Sequence, residues 1–346
     1  MSMEQEAFQP IFIVGNSRSG TTLMAKILKC NPDVHVFKEL HYFEQLWDGG
    51  DDSELAADTA RELYAKLKLA AHEGIFTTTS WQHYLREEVD LTSTSSIEGK
   101  LTAYDVYRAV LASETRLHDK RRPCEQTPRN VYYLAELLCE FVNARVLIMV
   151  RDPRAILLSQ KKKWRLKTIE RSNRPYPKIE RVRCWANYHP LVTSLLWRAA
   201  IRAGQRFESD TRVMVVRFED LVTQPQQTVS GICAFLGLDY DDVMLDVAPS
   251  LSPTAEALPH RQNRGGIDPS IAEQWKTGLG ASDIYWCERI NGERMQQLGY
   301  PITGIRPVWL TLVVSLISLP LKSGLAMLLN ISKMSNIYQS VRRRFG

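Results

Sequence analysis

The stretch of sequence that decides the fold, residues 11–43, reads IFIVGNSRSGTTLMAKILKCNPDVHVFKELHYF. Its first four residues form a short apolar run rich in β-branched side chains, which predicts a buried strand. The small and polar residues 15–20 then favour a turn, and apolar residues at helical spacing from Thr21 onward predict a helix that ends before Pro32. The sequence therefore predicts a strand, a glycine-bounded loop and a helix in direct succession.

A loop of this kind is a candidate binding site for an anion. Backbone N–H groups point out of the start of a helix, and the helix dipole favours negative charge there, so a phosphate is the natural occupant. The ATP-type loop, G-x-x-x-x-G-K-[ST], carries a lysine after its second glycine. Aligning Gly15 and Gly20 with that pattern puts Thr21 in the place of the lysine and leaves Arg18 as the cation of the loop. The alternative interpretation is a turn that binds nothing.

Residues 17–23, SRSGTTL, resemble the loop that holds the 5′-phosphosulfate in the sulfotransferases that use PAPS, 3′-phosphoadenylyl sulfate. The resemblance implies a P-loop-like, three-layer α/β fold with a central parallel sheet flanked by helices. It also implies PAPS as the sulfuryl donor, its desulfated form PAP as the product, and a hydroxyl group as the acceptor. The loop residues that it assigns to the donor are Ser17, Arg18, Ser19, Gly20, Thr21 and Thr22.

A second polar cluster follows the next predicted strand, residues 34–37. Ligands of open α/β sheets bind at the carboxyl ends of strands, and a positioned base contributes about 10²–10⁴-fold to the rate of proton transfer. The segment 38–43, KELHYF, resembles the K-E-x-H-F-F segment of the heparan sulfate sulfotransferases. That resemblance assigns the general base to Glu39 and a supporting polar role to His41. The alternative is a solvated ion pair at the end of a strand.

The run 144–150, ARVLIMV, is the strongest candidate for a central strand, and it ends directly in R-D-P-R. Pro153 suits the first turn of a helix, and Arg151 offers a bidentate donor to a phosphate. Ser159 lies about two helical turns further on and adds a hydroxyl. The pattern resembles the second sulfotransferase signature, in which an arginine and a serine hold the 3′-phosphate of PAPS. The alternative is a structural Arg–Asp pair at a strand–helix junction.

The segment 125–128, EQTP, departs from the E-K-T-P of the family, whose lysine helps to neutralise the transferring sulfuryl group. The neutral Gln126 supplies no charge, so charge stabilisation is expected from Arg18, with Lys38 or His41. In the proposed reaction no metal is needed.

Two later segments extend the resemblance. Residues 212–222, RVMVVRFEDLV, predict another central strand. The basic, glycine-rich loop 259–266, PHRQNRGG, lies upstream of Trp275, as a late Arg/Gly loop of the family lies upstream of a W-K pair. The resemblance assigns Arg264 and Gly265 to the 3′-phosphate.

Composition limits the remaining alternatives. The chain has 346 residues, 44% of them apolar, and a net charge of +5, which suits an anionic nucleotide, a membrane surface or nucleic acid. Nucleic acid ranks last, because the basic run 161–183 contains few aromatic residues. The six cysteines are scattered without a C-x-x-C pair, which argues against a zinc site and favours reduced thiols.

We expect a sulfotransferase domain over residues 1–304, in which residues 48–122 form a helical insertion that shapes the acceptor pocket. The aromatic residues of the insertion are candidates to line that pocket, although helix packing is the more ordinary role: Trp81, His83, Tyr104 and Tyr107. The tail, 305–346, carries apolar runs at 308–321 and 324–331 and three consecutive arginines near its end, residues 342–344. Each run is shorter than the roughly 18–20 residues that cross a bilayer.

The tail therefore predicts an interfacial membrane anchor with a basic end; packing in an oligomer and a true membrane span are the alternatives. The N-terminus lacks the pattern of a signal peptide, so the expected location is the cytoplasm, peripheral at the membrane. The sequence as a whole predicts a sulfotransferase that acts on a carbohydrate, glycolipid or small alcohol. A P-loop kinase or NTPase and a non-catalytic, nucleotide-binding membrane adaptor are the rival functions.

Overall fold

A parallel five-stranded sheet forms the centre of the molecule. The computed structural model describes residues 8–46, 53–75, 79–86, 101–165, 177–247, 267–330 and 342–344. The strands are β1 (Ile11–Gly15), β2 (Val34–Val36), β3 (Arg122–Glu125), β4 (Arg145–Val150) and β5 (Val213–Arg217). Their order across the sheet is β2-β3-β1-β4-β5, so β1 and β4 are neighbours.

Helices pack on both faces of this sheet. Their bounds are α1 (Thr21–Lys29), α2 (Ala57–His72), α3 (Ala103–Leu117), α4 (Leu134–Glu140), α5 (Pro153–Lys162), α6 (Lys178–Ala186), α7 (Pro190–Gln205), α8 (Phe218–Thr223), α9 (Pro225–Leu236), α10 (Trp275–Gly278), α11 (Ala281–Gln297) and α12 (Trp309–Asn330). A single π-helical turn, Tyr42–Leu46, follows β2.

Alternate side chains of the central strands enter two different cores, as the period of a strand requires. Ile11 and Ile13 pack with α1 and α9, whereas Phe12 and Val14 pack with α3, α5 and α7. All four side chains are fully buried. A parallel sheet covered by helices on both faces confirms the predicted three-layer α/β fold.

The structure corrects one predicted element. Residues 212–222 do not form one central strand, because β5 ends at Arg217 and lies at the edge of the sheet. Phe218 begins α8, whose first turn contains Glu219 and Asp220, and acidic side chains stabilise the start of a helix. Helices α6 and α7 are separate, because Pro190 disfavours helical backbone in the residue before it, and His189 is extended.

The chain leaves β1 through a glycine that no other residue replaces without strain. Gly15 has a φ of 142°, and a Cβ at this position would lie 2.4 Å from the carbonyl oxygen of Met149 in β4. The close approach of β1 to β4 therefore depends on the missing side chain.

Gly15→Ala should lower the free energy of unfolding by about 3–5 kcal/mol, because the new Cβ adds a clash to the unfavourable φ. Gly74→Ala is the matched control, since Gly74 has a φ of +89° but its Cβ would meet nothing within 4 Å. The control should cost only about 1–2 kcal/mol. Urea unfolding followed by circular dichroism measures both, and equal losses would show that contact with Met149 does not set the cost.

Candidate active site

The two predicted phosphate-binding junctions lie side by side, because they follow adjacent strands. The Nε of Arg18 donates to the Oγ of Ser159 at 3.0 Å, and these residues are 141 positions apart. The NH1 of Arg151 donates to the carbonyl oxygen of Arg18 at 3.2 Å. The loop after β1 and the start of α5 after β4 thus form one continuous surface.

The loop after β1 has the geometry of an anion site. Arg18 has a φ of 74°, and Gly20, with a φ of 97°, is the N-cap of α1. No side chain in the described ranges caps α1, so the N–H groups of its first turn remain available to a ligand. Ser19 is fully buried, and its Oγ has no hydrogen-bond partner among the residues that the structure describes. A phosphate placed at this helix start would satisfy these groups.

Arg151 is held in place but keeps a donor for a ligand. Its guanidinium lies 4.1 Å from the ring of Phe218, and its NH2 donates to the carbonyl oxygen of Ile271 at 3.3 Å. Burial lowers the pKa of Arg151 to about 10, so the group is still charged at neutral pH. Its Nε is buried and has no partner within the described part of the chain. An anion beside this group would therefore gain a charge-assisted hydrogen bond.

The second arginine of the R-D-P-R motif has the structural role. Arg154 pairs with Asp152 at 2.7 Å and with Glu288 at 2.8 Å, and its guanidinium lies 3.8 Å from the ring of Trp275. Asp152 also caps α5 by accepting from the backbone N–H of Arg154. Asp152 is thus engaged by Arg154 rather than by Arg151. The sequence pattern alone did not separate the roles of the two arginines.

The strand-end cluster after β2 forms a chain of charged groups. His41 Nε2 lies 3.0 Å from Glu39 Oε2, and His41 Nδ1 lies 3.7 Å from Glu44 Oε2. The side chain of Glu39 is 41% exposed, whereas those of His41 and Glu44 are buried. His41 has a φ of 50°, in the left-handed region. The exposed carboxylate is thus oriented by a buried imidazole.

Two arginines on distant segments complete the cluster. Glu44 accepts from Arg129 at 2.9 Å and from Arg344, near the C-terminus, at 2.7 Å. Burial opposes ionisation of Glu44, but His41 and the two arginines lower its pKa to about 2. Burial would lower the pKa of His41, but the neighbouring carboxylates of Glu39 and Glu44 raise it to about 9. His41 is therefore protonated at neutral pH.

Residues at the end of β3 and just after it fix the backbone of the loop that carries Glu39. Glu125 is buried and accepts from the N–H of Leu40 at 3.3 Å and from the side chain of Asn130 at 2.8 Å. The backbone N–H of His41 donates to Thr127 Oγ1 at 3.3 Å. Burial raises the pKa of Glu125 to about 7, although hydrogen bonds from Thr127 and Leu40 oppose the shift. Each contact ties the loop that carries Glu39 to the sheet.

Within the described part of the chain, the remaining predicted site residues do not join either of the two clusters described above. Gln126 is buried, and its Oε1 has no partner in the ranges described. Lys38 Nζ donates to the carbonyl oxygen of His72 at the end of α2. Arg264 and Gly265 lie outside the described residues. Strand β3 lies between β2 and β1, so Glu39 follows a strand that is about 10 Å from the phosphate loop.

Of the aromatic residues predicted to line the acceptor pocket, Trp81 is half-buried and His83 is exposed, whereas Tyr104 and Tyr107 lie in the core. Tyr107 is fully buried and stacks on Tyr42 at 4.2 Å, and Tyr104 is 7% exposed. In the described part of the chain, no group of His, Cys, Asp and Glu side chains has the arrangement of a metal site.

Glu44→Gln should lower the pKa of His41 from its value of about 9, because it removes one of the two carboxylates that favour the imidazolium. Glu39→Gln should lower it further, since Glu39 lies 3.0 Å from the ring and Glu44 3.7 Å. Titration of the imidazole signals by NMR measures both shifts. Glu136→Gln is the control, because Glu136 pairs with Arg343 and should leave the pKa of His41 unchanged. An unchanged value in the first two variants would contradict the arrangement.

Known proteins that resemble this chain include sulfotransferases. Residues 10–242 match the sulfotransferase family. A Caenorhabditis briggsae protein described as a putative protein-tyrosine sulfotransferase is 24% identical over 241 residues, which cover 68% of each chain. Gallus gallus protein-tyrosine sulfotransferase 2 is 27% identical over 243 residues, 68% of this chain and 53% of that protein. The sulfotransferase domain of a Synechococcus olefin synthase, a solved structure, has a TM-score of 0.46 and 21% identity and covers 81% of this chain and 94% of that domain.

The matched region contains both strand–helix junctions and the cluster after β2. It extends over more than half of the chain. The chain belongs to the sulfotransferase family.

Proposed function

We propose that this sulfotransferase takes the sulfuryl group from PAPS and transfers it to a hydroxyl group of its acceptor, with Glu39 as the general base. The observation that carries the proposal is the contact of Arg18 with Ser159 and of Arg151 with Arg18, which joins the two anion-binding junctions. PAPS carries an anionic group at each end of its ribose, the 5′-phosphosulfate and the 3′-phosphate. Two adjacent anion sites match this distribution of charge.

In the proposed complex, Arg18 and the loop of residues 17–22 hold the 5′-phosphosulfate, and Arg151 and Ser159 hold the 3′-phosphate. Ser19 Oγ and Arg151 Nε support this assignment, because both donors are buried, have no partner among the described residues and would gain one. Arg264 and Gly265 are proposed to complete the 3′-phosphate site. When bound, PAPS supplies an activated sulfuryl group. The absence of a lysine at Thr21 favours this donor over a triphosphate.

Glu39 is suited to accept the proton of the acceptor. Its Oε2 lies 3.0 Å from Nε2 of the protonated His41, and 41% of its side chain is exposed, which leaves room for an acceptor hydroxyl group. His41 orients the carboxylate through this bond, and its positive charge would also stabilise negative charge that develops nearby. The region 48–122 is proposed to shape the acceptor site above Glu39. Because the relatives include proteins described as protein-tyrosine sulfotransferases, tyrosine joins carbohydrate, glycolipid and small alcohols as a candidate acceptor.

Glu39→Gln should reduce sulfuryl transfer at least about 100-fold, because the amide cannot take the proton, while the affinity for PAP stays near that of the wild type. Arg151→Ala is the converse variant and should weaken PAP binding at least about tenfold through the lost charge-assisted bonds. Calorimetry with PAP and transfer of labelled sulfate to a panel of acceptors measure the two effects. Undiminished transfer by the Glu39 variant removes Glu39 from the mechanism.

The same two measurements, calorimetry and sulfate transfer, distinguish the proposed function from its rivals. A kinase or NTPase would bind ATP with Mg²⁺ in preference to PAP. A nucleotide-binding adaptor would bind PAP but transfer nothing in the wild type, and Glu39→Gln would then have no effect to measure.

We also propose that α12 lies on a membrane surface. It is one continuous helix of 22 residues through Pro320 and Lys322, with a mean hydropathy of 1.9, rather than two separate runs. By length and composition it is able to cross a membrane. Two of its polar side chains contact the domain, however: Lys322 donates to the carbonyl oxygen of Tyr188, and Asn330 donates to Asn187. The opposite face carries exposed apolar side chains, including Ile317 at 62% and Leu321 at 72%.

A helix with its polar side on the protein and its apolar side outward fits a bilayer interface, since water would oppose that orientation. The double variant Ile317→Asp/Leu321→Asp, and deletion of residues 308–346, should both move the protein from the membrane to the soluble fraction. Thr311→Asp/Ser323→Asp adds the same charge at positions that helical spacing places off the outward face, so it should stay with the membrane. Retention of the deletion variant on membranes would show that the anchor lies elsewhere.

A further inference from the structure

A cleft of about 460 Å³ lies between α7 and α11, and its lining contains four arginines and a single carboxylate. Its charged lining consists of Arg198, Arg202, Arg294, Arg344 and Glu293. We propose that this cleft binds the anionic headgroup of a membrane phospholipid. The inference rests on the membrane association proposed above, but not on the identity of the sulfuryl donor or of the base.

Three of the four arginines of the cleft have no carboxylate partner among the described residues that would explain their proximity; the fourth, Arg344, pairs with Glu44. Arg198 and Arg202 are one turn apart on α7, a spacing at which like charges destabilise a helix. Across the described residues, no carboxylate lies within ion-pair distance of Arg198, Arg202 or Arg294. Arg198 donates to the carbonyl oxygen of Ile290 at 3.5 Å, and Arg294 donates to Gln205, both neutral acceptors. An anion in the cleft would offset this repulsion.

The position of the cleft favours a lipid as the source of that anion. His189 at the start of α7 contacts the carbonyl oxygen of Ser315 in α12 at 2.9 Å. Arg198 follows about 14 Å further along the same helix. The lining of the cleft therefore begins about 14 Å from a contact with the helix that we place at the membrane surface, and near such a surface each arginine gains from anionic lipid.

Arg344 links the cleft to the candidate catalytic cluster. It lines the cleft and also donates to Glu44 at 2.7 Å. A headgroup in the cleft would share Arg344 with Glu44, which lies next to His41. Lipid binding would in this way change the charge around Glu44 and His41, the groups that orient Glu39.

The test compares two double variants of the full chain that remove equal charge. Arg198→Ala/Arg202→Ala alters the cleft, whereas Arg206→Ala/Arg289→Ala removes two exposed arginines that do not line it. Binding is measured by flotation with vesicles of phosphatidylcholine alone and of phosphatidylcholine mixed with phosphatidylserine. The cleft variant should lose about thirtyfold of its preference for the anionic vesicles, and the control variant less than about threefold. Both should bind neutral vesicles and PAP like the wild type, which shows that they are folded.

An equal loss in the two variants would overturn the proposal in favour of diffuse attraction. Inorganic phosphate that binds in the millimolar range and displaces the protein from anionic vesicles would identify a free anion as the ligand and overturn the lipid assignment. Dispersed short-chain phosphatidylserine needs no bilayer, so its binding tests the cleft even if α12 does not bind membranes. Loss of that binding in the cleft variant alone supports the proposal; its absence in the wild type overturns it.

Discussion

The hydrogen bond from Arg151 to the carbonyl oxygen of Arg18 is the contact on which the arrangement of the candidate site depends. It joins the loop after β1 to the end of β4, and it exists because these strands are adjacent and parallel. The close packing of the strands requires Gly15, where a side chain would meet the backbone of β4. Backbone geometry thus brings together two cations that repel one another. Burial, and to a smaller extent the charge of Arg18, lower the pKa of Arg151.

The second half of the site depends on balanced charge rather than on the sheet alone. Burial of Glu44 and His41 would be costly for either ion by itself, but each is paired with the other and with further charges. Glu125 and Thr127 fix the backbone of the same loop through Leu40 and His41. The exposed Glu39 is therefore oriented by groups that are themselves held by β3.

The local pattern of residues was sufficient to predict β1, α1 and the junction after β4, because apolar runs, glycines and Pro153 act within a few residues. Strand β3 was missed, since it has only four residues and contains Pro123, which argues against a strand inside a sheet. The contacts of Glu44 with Arg129 and Arg344 were also missed. They join segments 85 and 300 residues apart, and only the folded chain brings such residues together. The i,i+3 spacing of His41 and Glu44 was the one local signal.

Gln126 shows how the parts of the site are related. A lysine at position 126, as in the resembled E-K-T-P segment, would place a positive charge next to the buried Glu125. With Gln126 there instead, the carboxyl group of Glu125 accepts hydrogen bonds from neutral donors, the backbone N–H of Leu40 and the side chain of Asn130. A positive charge is nevertheless present at this edge of the sheet, because His41 is protonated at neutral pH. In the proposed reaction the imidazolium and Arg18 would then lie on either side of the transferring group. Charge stabilisation would depend on the two carboxylates that keep His41 protonated, and through Glu44 on the C-terminal Arg344.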